Sequence, residues 1–273
     1  MKVREKLHEL KDNGKAILAT NFYNLETLQG ILMAARETNA PVILQLSKSS
    51  VEYMGLEMAV VMARRGLQDF RVEGWLHLDH GDSIDLVKRC LEAGFDSVMI
   101  DASENSFEKN VEVTSQVVEL AKKYGANVEA ELGYVAKLGQ KQAGKAFTQP
   151  EEASRFVELT GVDALAIAIG SAHGFYKEAP VLQIDLLERI RLVTSAVLVL
   201  HGSSGIPHDM LKDAISHGIC KVNLATEIKD AFMKTLKNHL LTSDEIDLRK
   251  VFPVATKSVT ELIKNKLLLL KNL

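Results

Sequence analysis

The sequence predicts an α/β protein folded as a single closed (β/α)8 TIM barrel with extra helices at its C-terminal end. Three observations predict it. Short, continuous apolar stretches rich in β-branched residues recur along the chain, as expected of strands buried on both faces. Each is followed by a helical pattern, and eight such strand-then-helix units succeed one another. Eight units in 273 residues, with no linker, low-complexity tract or internal repeat, favour a closed barrel over an open doubly wound sheet. One domain is expected over residues 1–273.

A charged helical start over residues 2–9 leads into the first strand, 16–21. Residues 25–38 form an amphipathic helix with Leu28, Ile31, Leu32 and Ala35 on one face. The second strand covers 41–47, and a helix is expected from Ser50 to Arg65. The third strand begins near Trp75 and ends at Asp79, because Gly81 breaks the run before a helix over 84–93. The fourth strand is 97–101, followed by a helix over 107–124, and the fifth is 127–132. An irregular segment, 133–147, precedes Pro150, which opens the next helix at the first position, where a missing N–H costs nothing. The sixth strand, 164–170, runs into a long loop and a helix near Leu186. The seventh, 196–200, precedes a helix from Pro207 to His217, the eighth is 221–224, and helices fill the rest.

Composition narrows the function. With 47% hydrophobic residues the chain can bury a full core without disulfides or structural metal. A net charge of −3 gives no attraction for nucleic acid or an anionic membrane, so neither is expected as a partner. No apolar run reaches membrane-spanning length; Leu267 to Leu270 is too short. The charged start lacks the apolar stretch of a secretory signal. Cys90 and Cys220 lie far apart in helix-like and strand-like apolar contexts, which fits a reduced cytoplasmic protein and neither a nucleophile nor a ligand.

In a closed barrel all eight C-terminal strand ends face one mouth, where chemistry is done. The polar residues at those ends are Asn21, Ser47, Asp79 with His80, Asp101, Glu131, His173, His201, and Asn223 with Thr226. An isolated Asp79-His80 pair would more often be a helix cap and its hydrogen-bond partner. Three histidines arriving at one mouth are the layout of a catalytic zinc site with an open position, and Asp79 is an adjacent proton-transfer group. Asp101 and Glu131 could orient these histidines from behind or hold a second metal position. His77 lies within a strand and reads as a satisfied interior histidine, whereas His8, His208, His217 and His239 read as solvated helix or turn residues. The glycine-rich turn from His201 to Gly205 leads through Pro207 into a helix, and residues 223–226 cap another, so amides, hydroxyls and helix N-termini form a phosphate cradle. Gly174 and Lys177 could add an amide and a cation, although Lys177 by itself reads equally as a solvated loop lysine.

These residues resemble the class II, metal-dependent ketose-bisphosphate aldolases, which cleave fructose or tagatose 1,6-bisphosphate. The likeness spans almost the whole chain. Its most specific motifs are His77-Leu78-Asp79-His80-Gly81, Val128-Glu129-Ala130-Glu131-Leu132-Gly133, Gly170-Ser171-Ala172-His173-Gly174 and Leu200-His201-Gly202. The resemblance implies that His80, His173 and His201 bind Zn²⁺, with Co²⁺ or Mn²⁺ as possible substitutes. It implies that Asp79 transfers the proton and that Asp101 and Glu131 support the metal region. Gly174, Lys177, Gly202, Ser204, Asn223 and Thr226 would bind the dihydroxyacetone phosphate half, while Asn21 and Ser47 orient substrate. The family also implies a homodimer or homotetramer, for which the helices beyond Leu240 are plausible interface material.

Two departures bear on the reaction. The family's loop after the fifth strand usually carries a glycine pair and an acid that moves a proton, whereas residues 134–149 contain no Asp or Glu and hold Lys137, Lys141 and Lys145. Those lysines could close over an anionic substrate or simply be solvated. Ala225 stands where fructose-specific members often have an acidic or amide residue, a feature of tagatose-type members. The missing acid keeps open a phosphometabolite-binding protein with weak or no turnover. A barrel metallohydrolase would need a metal-activated water and usually more carboxylate ligands.

Overall fold

The computed structural model describes residues 1–135, 147–176 and 180–272. Eight parallel strands close into a barrel in chain order: β1 (Ile17–Asn21), β2 (Val42–Ser47), β3 (Gly74–Gly81), β4 (Ser97–Ile100), β5 (Asn127–Leu132), β6 (Ala164–Ile167), β7 (Val197–Leu200) and β8 (Ile219–Leu224). The barrel shuts where β8 pairs with β1, Ala19 lying beside Asn223.

Strand side chains alternate between two faces, and the two faces meet different material. Leu18, Leu44, Leu76, Val98, Val128, Leu165, Leu198 and Val222 point outward into the layer between sheet and helices. That layer is covered by α2 (Leu25–Thr38), α3 (Lys48–Met54), α4 (Leu56–Phe70), α5 (Ile84–Glu92), α6 (Phe107–Lys122), α7 (Pro150–Thr160), α8 (Ile184–Val193) and α9 (His208–Ser216). Inward, Ile17, Ile43, Trp75, Val197 and Val199 form a second apolar cluster with Val3, Leu7 and Leu10 of α1 (Val3–Asp12). The N-terminal helix therefore plugs the lower end of the lumen, and the lumen opens at the C-terminal strand ends.

The extra C-terminal helices are α10 (Thr226–Leu240) and α11 (Leu248–Lys271). α11 lies against α2 at Gly30, where a Cβ would run into the Val259 side chain and the Thr256 carbonyl. Glycine there sets the close approach of the two helices. One expected helix differs: residues 50–65 are not continuous, because Gly55 takes φ +80° and ψ 132° and divides α3 from α4. Such a backbone is natural to glycine and outside the helical well. Among the described residues no helix is long and apolar enough to cross a membrane.

Candidate metal centre and active site

In a regular strand Asp79 and His80 would face opposite sides of the sheet. β3 runs two residues past the expected end, and its pairing with β4 shifts register between Leu78 and Gly81. At this bulge His80 adopts φ +50°, a left-handed conformation that costs a non-glycine residue about 1–3 kcal/mol. The bulge turns both side chains to the mouth. Gly81 lets the strands stay close, since a Cβ there would strike the Met99 carbonyl oxygen. Capping of α5 falls to Ser83, whose hydroxyl accepts from the Leu86 N–H, so His80 has no capping role.

The three histidines converge. His80 and His173 ring centres lie 5.0 Å apart, His80 and His201 4.8 Å, and His173 and His201 5.8 Å. One ligand atom from each of His80, Glu131, His173 and His201 lies within 4.8 Å of the others. Their orientation bears on what the cluster can hold. His80 Nδ1 faces Asp101 Oδ2 at 2.8 Å, and His201 Nε2 faces Glu129 Oε1 at 2.9 Å, so each ring gives its N–H to a carboxylate. The remaining nitrogens, His80 Nε2 and His201 Nδ1, face each other across 3.0 Å. Glu131 Oε2 is buried without a hydrogen-bond partner, 3.5 Å from His201 Nδ1. Two ring nitrogens and a carboxylate oxygen without a hydrogen-bond partner, all facing one point, make a site that a cation can occupy. The donor set of three imidazoles and a carboxylate fits Zn²⁺ or a similar divalent ion.

With no ion bound, the carboxylates around His80 favour a second proton on its ring. Burial works against a charged His80, yet the Asp79 charge and the bond to Asp101 outweigh it and raise its pKa to about 9. Burial, aided by His80 and His201, pushes His173 down to about 3 and keeps it neutral. Burial raises Glu131 above the usual carboxylate range despite the nearby imidazoles. For Asp79 and Asp101 burial opposes ionisation, but His80 overcomes it and holds both carboxyls low, helped at Asp79 by His201. Asp79 is thus a carboxylate, held by Asn21 Nδ2 at 2.9 Å and approached by Asn223 Nδ2 at 3.4 Å.

Asp79, His80, His173, His201, Glu131, Asn21 and Asn223 meet at the mouth. Asp101 stands behind His80, where Ser103 Oγ also bonds it at 2.7 Å. Ser47 also caps α3, its hydroxyl accepting from the Ser50 N–H. The turn after β7 packs under the loop after β6, since a Cβ on Gly202 (φ +67°) would strike the Ala172 backbone. Ser204 is buried beside it and Gly174 half-buried. Thr226 does not cap a helix as expected: α10 starts at Thr226 itself, after Ala225, which has no capping side chain. Its early N–H at Glu227 is met instead by Ser204 Oγ, and Glu227 Oε1 accepts from the Gly205 N–H at 2.6 Å. Lys177, with Lys137, Lys141 and Lys145 of the loop after β5, lies outside the described residues. His77 is fully buried against Ser97 Oγ, as expected of an interior histidine.

Four residues at the site have no role expected from the sequence: Glu129, Lys221, Tyr176 and Glu227. Glu129 and Lys221 lie inside β5 and β8, below the strand ends where polar residues signal a mouth. Their signal was the two-residue period: Gln45, His77, Glu129 and Lys221 share the inward parity of Asn21, Asp79, Glu131 and Asn223. Tyr176 and Glu227 carried no such signal, because they act through loop backbone. The Tyr176 hydroxyl accepts from the Ala172 N–H at 2.8 Å and donates to the Gly202 carbonyl at 2.7 Å.

Comparison with known proteins agrees with this geometry. A family model described as class-II fructose-bisphosphate aldolase matches residues 1–272. A fructose-bisphosphate aldolase of Staphylococcus epidermidis is 41% identical over 273 residues, covering 97% of this chain and 95% of the relative. One from Geobacillus stearothermophilus is 43% identical over 257 residues, covering 91% and 89%. Among solved structures, the YdjI aldolase of Escherichia coli K12 superposes with a TM-score of 0.88 at 35% identity, covering 98% of this chain and 96% of that one.

Proposed function

The chain belongs to the class II fructose-bisphosphate aldolase family, whose members are metal-dependent lyases, and from that premise we propose a zinc-dependent, reversible retro-aldol cleavage of a ketose 1,6-bisphosphate to dihydroxyacetone phosphate and an aldehyde. The observation that carries it is the meeting of His80, His173, His201 and Glu131 within ligand reach of one another beside an ionised Asp79.

In this proposal His80, His173 and His201 hold the ion, with Glu131 as the adjacent carboxylate and Asp101 orienting His80. When bound, Zn²⁺ (or Co²⁺ or Mn²⁺) supplies a Lewis acid for the ketose oxygens. Asp79 takes the C4 hydroxyl proton during cleavage and returns it during condensation, which requires the carboxylate form that its surroundings favour. Asn21 fixes the direction of that carboxylate. The backbone of Gly174 and Gly202, the hydroxyls of Ser204 and Thr226, Lys177 and Asn223 receive the phosphorylated three-carbon half, and Asn21 and Ser47 help orient the substrate. Anchoring the phosphate holds the reacting carbons in place and removes part of the entropic barrier. We further propose a single domain over residues 1–273, a cytoplasmic location, and a homodimer or homotetramer. Leu240, Leu241, Ile246 and Leu248, exposed around the junction of α10 and α11, support the last point.

The test is metal-loaded protein incubated with fructose and tagatose bisphosphates and related phosphoketoses, with triose phosphate release coupled to NADH oxidation. Cleavage abolished by EDTA and restored by Zn²⁺ is expected; EDTA-insensitive cleavage refutes the proposal. The acid-free segment 134–149 motivates a second reading, a phosphoketose-binding protein with little turnover. Tight calorimetric binding with no product over hours would select it.

A further inference from the structure

The lumen beneath the histidines is not filled with aliphatic layers alone, the usual content of such barrels. Gln45, His77, Glu129 and Lys221 project into it from four strands, each no more than 1% exposed. Lys221 Nζ donates to Glu129 Oε2 at 2.8 Å and lies 3.5 Å from His77 Nε2. Glu129 Oε1 accepts a hydrogen bond from the His201 Nε2–H at 2.9 Å, and Asn223 Nδ2 lies 3.0 Å from the same nitrogen. With the Gln45 amide turned so that both of its ends are satisfied, its oxygen accepts from Lys221 Nζ at 3.2 Å and its nitrogen donates to Asn21 Oδ1 at 3.3 Å. Asn21 donates in turn to Asp79 at 2.9 Å. A continuous hydrogen-bonded chain thus runs from His201 through Glu129, Lys221, Gln45 and Asn21 to Asp79.

A fully buried ion pair is a poor source of stability, since desolvating both charges costs about as much as their attraction returns. What the pair does supply is fixed geometry. We propose that Glu129 and Lys221 are positioning residues: Glu129 locks His201 with its proton on Nε2 and its Nδ1 lone pair toward the ion, while Lys221 anchors Glu129 and ties it, through Gln45 and Asn21, to Asp79. The inference rests on the metal-dependent reading above. A carboxylate behind a ligating histidine fixes ring orientation and tautomer, and its loss typically weakens metal affinity about 10–100-fold.

The probe is Co²⁺, titrated into chelator-stripped protein against a competing indicator, with the visible d–d bands recorded and folding followed by circular dichroism. Glu129→Gln, and the charge-balanced double variant Glu129→Gln with Lys221→Met, should each bind Co²⁺ about 10–100-fold more weakly than wild type, with altered bands. Both variants binding within about twofold of wild type with unchanged bands would overturn the inference while leaving the metal reading intact. A wild-type protein that binds no Co²⁺ removes both. A measurement on wild type alone guards against variants that fail to fold: long-range ¹H–¹⁵N spectra of the metal-free protein should place the His201 proton on Nε2, and a proton on Nδ1 refutes the proposal.

Discussion

Tyr176→Phe removes one oxygen and leaves every proposed ligand and proton-transfer group in place. That oxygen joins the loop bearing His173 and Gly174 to the turn bearing Gly202, accepting from the Ala172 N–H at 2.8 Å and donating to the Gly202 carbonyl at 2.7 Å. Each bond is worth about 1 kcal/mol net, and the groups left behind are partly buried with no new partner. The two together hold the loops in register by about 2 kcal/mol, which at 1.4 kcal/mol per tenfold is about 30-fold in the population of the assembled cradle. If the phosphate binds there, KM for the ketose bisphosphate should rise about 10–30-fold with little change in kcat, because the chemical groups are untouched. The melting temperature should fall by about 4–8 °C, at the ~2–4 °C per kcal/mol typical of chains near this size. Coupled steady-state kinetics and a thermal melt read the two effects separately. A lowered melting temperature with KM within about twofold of wild type would refute the assignment of the cradle, since the tie would then be purely structural.

Three further outcomes are expected. Asp79→Asn should keep Co²⁺ affinity and lower kcat by about 10²–10⁴-fold, the range for loss of a general base; a fall smaller than about tenfold would reassign the proton transfer. Gly30→Ala forces a methyl into Val259 and the Thr256 carbonyl, and should destabilise by about 1–3 kcal/mol in urea unfolding with kcat unchanged; a neutral result would mean α11 shifts freely on α2. Burial raises the thiol pKa of Cys90 to about 12 and of Cys220 to about 11 from an ordinary 9.0. The unfolded thiols ionise first, so their contribution to stability is complete below pH 9 and is lost as pH rises toward those raised values. Native protein at about pH 8, where unfolded thiols begin to ionise, should therefore resist a thiol reagent that labels both cysteines in urea, and rapid native labelling would contradict their burial.

Much of the architecture was legible because both of its signals are local. Strands such as Val197–Leu200 are apolar on both faces, which only a covered parallel sheet requires, and the helices between them repeat at a length that closes a barrel. The histidine cluster was legible for a topological reason: once the barrel is granted, His80, His173 and His201 must share a mouth wherever they fall in the chain. What escaped is what depends on backbone detail. The break at Gly55 needs a dihedral angle, not a periodicity. The caps of α3 and α10 were not foreseen, because a hydroxyl at a strand end serves whichever N–H lies nearest. Ser47 caps α3, while the α10 N-terminus is met from another loop by Ser204. The adjacency of Asp79 and His80 was plain in the sequence, yet their common direction was not, since it requires the bulge that sets His80 at φ +50°.

The buried charges also explain why the lower end of the barrel is built as it is. Along the lumen the inward residues change in kind: Ile17, Ile43 and Trp75 below, then Gln45, His77, Glu129 and Lys221, then the histidines and Asp79 at the mouth. An interaction such as Glu129 with His201 is strong only while water is kept from it, because the effective dielectric sets the size of every charge–charge term. Water could reach the middle layer from either end. At the mouth the histidines and carboxylates occupy the opening. At the base the barrier is α1, whose Val3, Leu7 and Leu10 pack onto Ile17, Ile43 and Trp75, with the Trp75 indole N–H tied to the Met1 carbonyl at 3.1 Å. The N-terminal helix stands at the opposite end from the chemistry, yet by sealing the lumen it sustains the low dielectric in which a single carboxylate can hold a histidine to one tautomer.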